Sequence, residues 1–400
     1  MRFFAAAILA SLLFCGPAMA LEDGKVGMLY LSDPVRVPIV HFLRSDPLFS
    51  VSLVASSLRG FGGWELPDVQ RAVRLYMPRN YEALLSNYDV IVLDNSNVFA
   101  VPSNYIEMLA RGSREGGKGL LMTGGWESFG GNNNPAWGPT AVGDILPTTD
   151  VENVWVQSGR LAVDDIENEF MSSMPWEKKS EWMYEFHHNL VTVREGARLL
   201  AHTEHNLMGP PEQPLFVTWE MPSSGRVFSC TGEISMMSPF FGFLGWEYYG
   251  DFGANLGLYL ARRPVPQDVE LVHLVRGTMF EAGTRSALLF SLLEFIENFG
   301  ANTQGVMDMM DDIDSEIARA RPIYLELRFE DVLAVYDGVE EMFAEVEAEA
   351  LRLKNRALLW IYIVEYLAVS GAAMIGGVLL WTIMVRRRFY REVSVTKFGE

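Results

Sequence analysis

Four runs in the first third of the chain are apolar almost without interruption: Lys25–Leu31 (KVGMLYL), Phe49–Val54 (FSVSLV), Asp89–Asp94 (DVIVLD) and Gly119–Thr123 (GLLMT). Continuous apolar runs of this length predict strands covered on both faces, which is how parallel sheets are built. The segments between them, such as Ser103–Arg114, predict crossover helices with right-handed connections. Further on, Ala197–Ala201, Leu215–Glu220 and Gly225–Thr231 predict three more strands. The last two should form a hairpin through Pro222-Ser223-Ser224-Gly225, and Gly253–Arg262 predicts a closing helix. The expected fold class is therefore α/β, with a doubly wound, mostly parallel sheet.

Beyond a boundary at Arg262–Pro266 the pattern changes to long helical periodicity. Asp268–Phe299 predicts one helix, which Gly300 is placed to end in a left-handed cap. Phe329–Arg356 predicts another, with Val332, Val335, Tyr336, Val339, Met342, Phe343, Val346 and Leu353 on one broad face. Such a face must be buried, in a membrane-proximal bundle or against another subunit. Then comes an apolar run, Ala357–Val385, whose one ionisable residue is Glu365 and which closes on Arg386, Arg387 and Arg388. About twenty apolar residues suffice to cross a bilayer, so this segment predicts a single transmembrane helix, and the arginines predict its cytoplasmic end. Glu365 is expected near the outer interface or paired with another chain. Ala372 with Gly376 and Ala373 with Gly377 have the small-xxx-small spacing that allows close helix pairing.

The other end of the chain agrees with an exported ectodomain. Arg2, the apolar run Phe3–Phe14 and the small-residue site Ala18-Met19-Ala20 read as a cleavable secretory signal. Cys15 precedes that site, and Phe14 stands where a lipobox needs a small residue, which argues against lipidation. With the signal removed, Cys230 is the only cysteine, so no intramolecular disulfide can form and an ordinary core must hold the fold. A chain with 49% hydrophobic and 12% aromatic residues can supply one. The net charge of −19 lies outside the basic tail and disfavours nucleic acid and anionic lipid headgroups as partners of the ectodomain. The expected organisation is a signal peptide (1–20), an extracytoplasmic α/β domain (21–263), a helical stalk (264–356), a transmembrane helix (357–385) and a basic cytoplasmic tail (386–400).

The densest local chemistry follows the fourth strand. Thr123-Gly124-Gly125-Trp126-Glu127-Ser128-Phe129-Gly130-Gly131, followed by Asn132, Asn133, Asn134 and Trp137, is a glycine-rich loop at the carboxyl end of a parallel strand. Open α/β sheets bind ligands at that end, where strand order reverses. Glycines admit a close approach, Trp126 offers a flat apolar face, and Glu127, Ser128 and Asn132 offer hydrogen bonds, so the loop reads as a cleft for a small polar ligand or a sugar. The competing reading is a tight structural loop whose aromatics cap the sheet.

The runs DVIVLDNSNVF (Asp89–Phe99), GGKGLLMTGGWESFGG (Gly116–Gly131) and GPTAVGDILP (Gly138–Pro147) resemble the glutamine amidotransferase-like proteins, relatives of class I glutamine amidotransferases. The resemblance covers about residues 25–263 and implies a flavodoxin-like sheet; the segment from Trp360 to Val393 resembles the anchor of membrane-bound members. A glutaminase of this kind needs a GxCxG nucleophile elbow, a histidine and an acid. Here Gly124-Gly125-Trp126 stands at the elbow, and Cys230-Thr231-Gly232-Glu233 stands where the distal HxE pair belongs. The resemblance therefore implies the fold and speaks against the glutaminase reaction.

Three residues remain as weak catalytic candidates. Ser128 is not in a GxSxG context, Cys230 ends a strand near the ligand edge, and Glu233 beside it is either a cleft acid or a turn cap. His187, His188, His202 and His205 lie close in sequence but lack diagnostic metal spacing, so no metal and no cofactor is expected. The aromatic segment Pro239–Phe252 is expected to cover a sheet edge, or else to form a recognition or membrane-facing surface. The function these features imply is non-catalytic ligand binding or assembly of a membrane complex, with a membrane protein or a second copy as partner. The alternative is an extracytoplasmic hydrolase or amidotransferase using Cys230 or Ser128.

Overall fold

The computed structural model describes residues 24–33, 37–58, 65–131, 136–157, 159–179, 187–220, 224–234 and 245–395. The expected signal peptide and Asn132 lie outside the described residues. The strands are β1 (Val26–Ser32), β2 (Phe49–Ala55), β3 (Val90–Asp94), β4 (Gly119–Thr123), β5 (Thr148–Gln157), β6 (Arg160–Val163), β7 (His187–Val193), β8 (Arg198–Glu204), β9 (Glu212–Glu220) and β10 (Arg226–Cys230). Eight of them form one sheet in the order β2-β1-β3-β4-β10-β9-β8-β6. The β2-β1-β3-β4-β10 part is parallel, and β9, β8 and β6 extend it with antiparallel pairings. That parallel order is the doubly wound, flavodoxin-like one, with its switch point between β1 and β3. β5 and β7 make a separate antiparallel pair.

The helices of this part are α1 (Pro38–Ser45), α2 (Leu66–Tyr76), α3 (Tyr81–Asn87), α4 (Ser103–Arg114), α5 (Glu169–Ser172) and α6 (Tyr249–Leu260). Successive side chains of a strand point to opposite faces, and both faces of the parallel strands are covered. On one face Leu29, Leu31, Ile91, Leu93, Leu120 and Met122 join Val73, Leu84, Ile106 and Leu109 from α2, α3 and α4. On the other, Met28, Tyr30, Val92 and Leu121 meet Ile39 and Leu43 of α1 and Phe252 and Leu256 of α6 around an apolar void of about 20 Å³. That void holds one water at most, so it is a packing defect and not a ligand cavity.

Towards the antiparallel side, Phe170, Trp176, Phe216, Phe228, Phe252 and Tyr259 interlock, largely edge to face, at centroid separations of 5.6 to 6.4 Å. Trp246 stacks on Trp176 at 5.5 Å, and Trp246, Tyr248, Tyr249 and Phe252 are buried. The described part of the Pro239–Phe252 segment thus packs inward against the sheet.

Three further helices follow: α7 (Val269–Glu297), α8 (Gln304–Leu325) and α9 (Phe329–Val395). The sequence pattern shows α7 and α9, but α8 escapes it. Its exposed side carries Asp308, Asp311, Asp312 and Asp314, and Pro322 sits within its final turn, so acidic and helix-breaking residues mask a narrow apolar seam. Gly300 follows α7 at φ 75°, the left-handed cap its position implied. The stretch Phe329–Arg388 of α9 is long and apolar enough to cross a membrane.

By compactness the chain divides into two units. One runs to Gly277 and takes in Arg321–Val332; the other comprises Thr278–Ala320 and Leu333 onwards. In the second, Ala282, Leu289, Leu293 and Ile296 of α7 are buried, as are Val306, Met310, Ile313 and Ala320 of α8 and Val339, Phe343, Val346, Ala350 and Ala357 of α9. Spacings that alternate between three and four are those of a coiled-coil seam. Across it Arg285 pairs with Glu340 and, at 2.9 Å, with Glu347, while its guanidinium lies 4.8 Å from the centre of the Phe343 ring.

The first unit retains the opening turns of α7 through a buried ion cluster. Arg276 Nε donates to Asp46 at 2.9 Å and to the Tyr324 hydroxyl at 3.1 Å, and Nη1 donates to Asp251 at 2.6 Å. Asp46 and Asp251 are almost fully buried, so removing the cation would leave two interior carboxylates facing each other with, among the described residues, only the Tyr324 hydroxyl and Leu48 amide on Asp46 and the His273 ring on Asp251. Arg276→Met should lower unfolding free energy by about 3–5 kcal/mol. Urea unfolding of the full chain in detergent, followed by tryptophan fluorescence, measures it; a loss below about 1 kcal/mol would mean that the cluster is solvated.

Candidate functional site

The carboxyl ends of β1, β3, β4 and β10 converge on a buried polar floor. Asp94, the last residue of β3, is fully buried and accepts hydrogen bonds from the Tyr30 hydroxyl at 2.9 Å, Ser32 Oγ at 3.2 Å and Thr123 Oγ1. A carboxylate can occupy such a place because three hydroxyls replace its water. The residue after it, Asn95, has φ 45°, a left-handed conformation that asparagine tolerates better than most side chains. Its Oδ1 accepts from the Glu127 amide at 2.9 Å, which draws the loop after β4 onto the end of β3.

That loop is knitted inward. The Gly124 amide donates to the carbonyls of Cys230 at 2.7 Å and Gly232 at 3.0 Å. The Gly125 amide donates to Asn189 Oδ1 at 2.9 Å, and Asn189 Nδ2 returns bonds of 3.2 Å to the carbonyls of Gly125 and Ser128. Trp137, fully buried, donates from Nε1 to the carbonyls of Ser96 at 2.8 Å and Glu127 at 3.2 Å. Phe129 is fully buried at φ 49°, so the apolar core holds a bulky residue in a disfavoured backbone state.

The glycines at the elbow are required by their neighbours. A Cβ on Gly124 would lie 1.8 Å from the Thr231 carbonyl oxygen, and one on Gly125 would lie 2.4 Å from Asn95 Oδ1, with Gly125 at φ 142° besides. A nucleophile-bearing side chain at Gly124 would require the Thr231 backbone to move, and one at Gly125 would displace the Asn95 side chain and sit at a strained φ. Their amides, which in an acyl-transfer enzyme would face a developing oxyanion, are already engaged.

Glu127 is 1% exposed and sits at the centre of this edge. Its carboxylate accepts from Ser57 Oγ at 2.5 Å and the Leu58 amide at 2.7 Å, both in the loop after β2, and from Asn97 Nδ2 at 2.7 Å, in the loop after β3. Ser128 is buried as well, and no hydrogen-bond partner for its Oγ occurs among the described residues. Trp126 differs from its neighbours: it is 39% exposed.

Cys230 is fully buried at the end of β10, and its thiol donates to the Gly232 carbonyl at 3.4 Å. Burial pushes the thiol well above its ordinary range, and the Asp94 charge adds to this, so a thiolate is disfavoured. Among the described residues no imidazole is among its partners. His188 Nε2 instead meets Thr203 Oγ1 at 3.2 Å, and His202 Nδ1 meets Asp164 at 2.8 Å. No group of three or more His, Cys, Asp or Glu able to hold a metal occurs among the described residues. Glu233, half-buried, is pushed up to about 8, first by burial and then by the Asp94 and Asp33 carboxylates.

The fold thus brings Gly124, Gly125, Trp126, Glu127, Ser128, Cys230 and Glu233 to one sheet edge. Of these, Trp126 and Glu233 retain access to solvent. Sequence reasoning passed over Asp94, Asn95, Asn97 and Asn189, which organise the edge. A polar residue directly ending an apolar strand, as in VIVLD-N-S-N, was the available signal.

Residues 71–261 match the model of the family described as "Putative glutamine amidotransferase". The resemblance carried by the strand and loop motifs therefore holds over that stretch. No curated protein matches the chain. Among solved structures, the cytoplasmic protein STM1381 from Salmonella typhimurium LT2 is similar at 19% identity and a TM-score of 0.44, over 59% of this chain and 99% of that one. The carbohydrate deacetylase Agd3 is similar at 12% identity and a TM-score of 0.37, over 60% of this chain and 32% of that one.

Two outcomes follow from this geometry. Gly124→Ala should destabilise the fold by about 1–3 kcal/mol or more, because the Thr231 backbone must shift, and thermal unfolding of the full chain in detergent measures it. Glu233 holds its proton more tightly folded than unfolded, so its contribution is complete below the ordinary carboxylate range and is lost as pH rises through about 8. The melting temperature should therefore fall between about pH 5 and about pH 9, and Glu233→Gln should flatten that fall. An unchanged slope in the variant would assign the titration to another group.

Proposed function

We propose that this chain, which carries a glutamine amidotransferase-like domain over residues 71–261 and one helix able to cross a membrane, is a membrane-anchored protein that does not hydrolyse glutamine. Its α/β domain lies outside the cytoplasm and acts by binding a ligand or assembling with a membrane partner. The observation that carries the reading is the elbow after β4. Gly124 and Gly125 supply no nucleophile, their amides are bonded within the protein, and Cys230 is buried away from any imidazole partner among the described residues. Covalent acyl transfer needs an activated nucleophile with donors facing the oxyanion, and neither is available there.

Orientation rests on Arg386, Arg387 and Arg388 after the apolar run, which favour the cytoplasmic side, and on the signal-like segment 1–20. For recognition, Trp126 and Phe99 are exposed in the loops after β4 and β3, on the edge where open α/β sheets meet their ligands. Aromatic rings presented beside a polar floor suit a sugar ring or an aromatic anchor of a partner.

The test is the purified full chain in detergent with glutamine, followed by ammonia release and by labelling with a glutamine-analogue electrophile. The expected outcome is no ammonia above the protein-free control, with Cys230 alkylated only after unfolding. Ammonia release that disappears in Cys230→Ala or Ser128→Ala would overturn the reading and establish the enzyme.

A further inference from the structure

The tip of the α7–α8 hairpin carries an apolar stripe placed at the level where α9 becomes apolar. On α7, Leu288, Leu292, Phe295 and Phe299 recur at spacings of four, three and four, along one side of the helix and the turn that ends it. Leu288, Phe295 and Phe299 are 66%, 46% and 45% exposed. The Phe295 and Phe299 rings pack edge to face at 4.8 Å, forming one exposed aromatic surface. Immediately behind on the same line stand Glu281, Thr284 and Arg285, which interrupt the stripe, while the exposed Leu274 and Phe280 lie beyond them and apart from it.

The height of that tip follows from the contacts of Arg285. Arg285 reaches Glu340 and Glu347 and lies over the Phe343 ring, which sets Arg285 level with Phe343. The short turns at 298–303 and 326–328 make α8 antiparallel to its neighbours, so α7 and α9 run the same way. Fourteen residues beyond Arg285 is Phe299, and fourteen beyond Phe343 is Ala357, the first residue of the apolar run. At 1.5 Å per residue both lie about 21 Å further along, at the same height.

Next on α9 come Trp360, Tyr362 and Tyr366, all exposed, and just before are Arg352, Lys354 and Arg356. Aromatic residues favour the boundary of the hydrocarbon, and cations favour the phosphate layer above it.

We propose that the hairpin tip is a second membrane contact, in which Phe295 and Phe299 seat in the headgroup layer beside the point where α9 enters the bilayer. The inference rests on the reading of α9 as a membrane anchor. Its consequence is mechanical: two contacts, one spanning and one resting on the surface, fix the tilt of the bundle where a lone helix would leave it free to swing.

The test uses the full chain with Cys230 replaced by alanine, reconstituted in phosphatidylcholine vesicles containing phosphatidylglycerol. An environment-sensitive fluorophore is placed in turn at Phe299→Cys, Thr284→Cys and Val369→Cys. The expected result is a Val369 probe shielded from aqueous quencher, a Thr284 probe fully quenched, and a Phe299 probe quenched several-fold less than Thr284, with a blue-shifted emission. A Phe299 probe quenched like Thr284 while Val369 stays shielded would overturn the second contact and leave the anchor standing. A Val369 probe open to quencher would overturn both. As an independent check, Phe295→Ser/Phe299→Ser should leave the melting temperature in detergent unchanged but raise quenching of a probe at Asn302→Cys in vesicles; a fall in melting temperature without that change would make the rings part of the bundle core.

Discussion

The Glu127 carboxylate accepts hydrogen bonds from the loops after β2 and β3 while its own loop follows β4, so three strand ends are tied through one buried charge. A buried carboxylate is tolerable only when its lone pairs are filled, and here a hydroxyl, an amide and a side-chain amide fill them. The cost of exposing that charge to a poorer arrangement is what holds the three loops in register. Around it the Asp94 hydroxyl cage, the left-handed Asn95 and the bidentate bridging of Asn189 fall into place.

That arrangement also decides the chemistry of the edge. In an open α/β sheet the crevice at the switch point is where a ligand meets backbone amides and a reactive side chain. Here the amides at Gly124 and Gly125 point into the protein and the side chain of Glu127 satisfies donors that a ligand would otherwise meet. The same polar network that ties the edge together engages these donors and the carboxylate within the protein. Among the described residues, Trp126 and Phe99 are exposed at this edge and Glu233 is partly so, with burial and the Asp94 and Asp33 carboxylates raising its affinity for a proton.

The helical unit obeys a different constraint. Its seam is narrow, made by Val339, Phe343, Val346 and Ala350 against partners on α7 and α8, and the Arg285 pairings set the stagger between helices. Since α9 continues unbroken into the apolar segment, the register fixed by that stagger is carried to the level where the helix becomes apolar.

Much of this was legible in the sequence for a physical reason: burial on both faces leaves unbroken apolar runs, so β1 to β4 and β10 announce themselves, and a span of apolar residues closing on arginines does the same for the end of α9. The residues Gly124 to Ser128 were legible as a special loop because glycine density betrays close backbone approach. Strands β5, β6 and β7 were not, since they mix polar and apolar residues and pair at an edge or in a two-stranded ribbon, and α8 was hidden by its aspartates and Pro322. Nor could the sequence tell that Glu127 faces inward to bind loops instead of outward to bind a ligand, because a carboxylate looks the same in either role. Local pattern determined which segments are strands, helices and a span apolar enough to cross a membrane; only the tertiary structure, by bringing Ser57, Leu58, Asn97 and Asn189 from distant parts of the chain to one loop, decided which polar groups are satisfied within the protein.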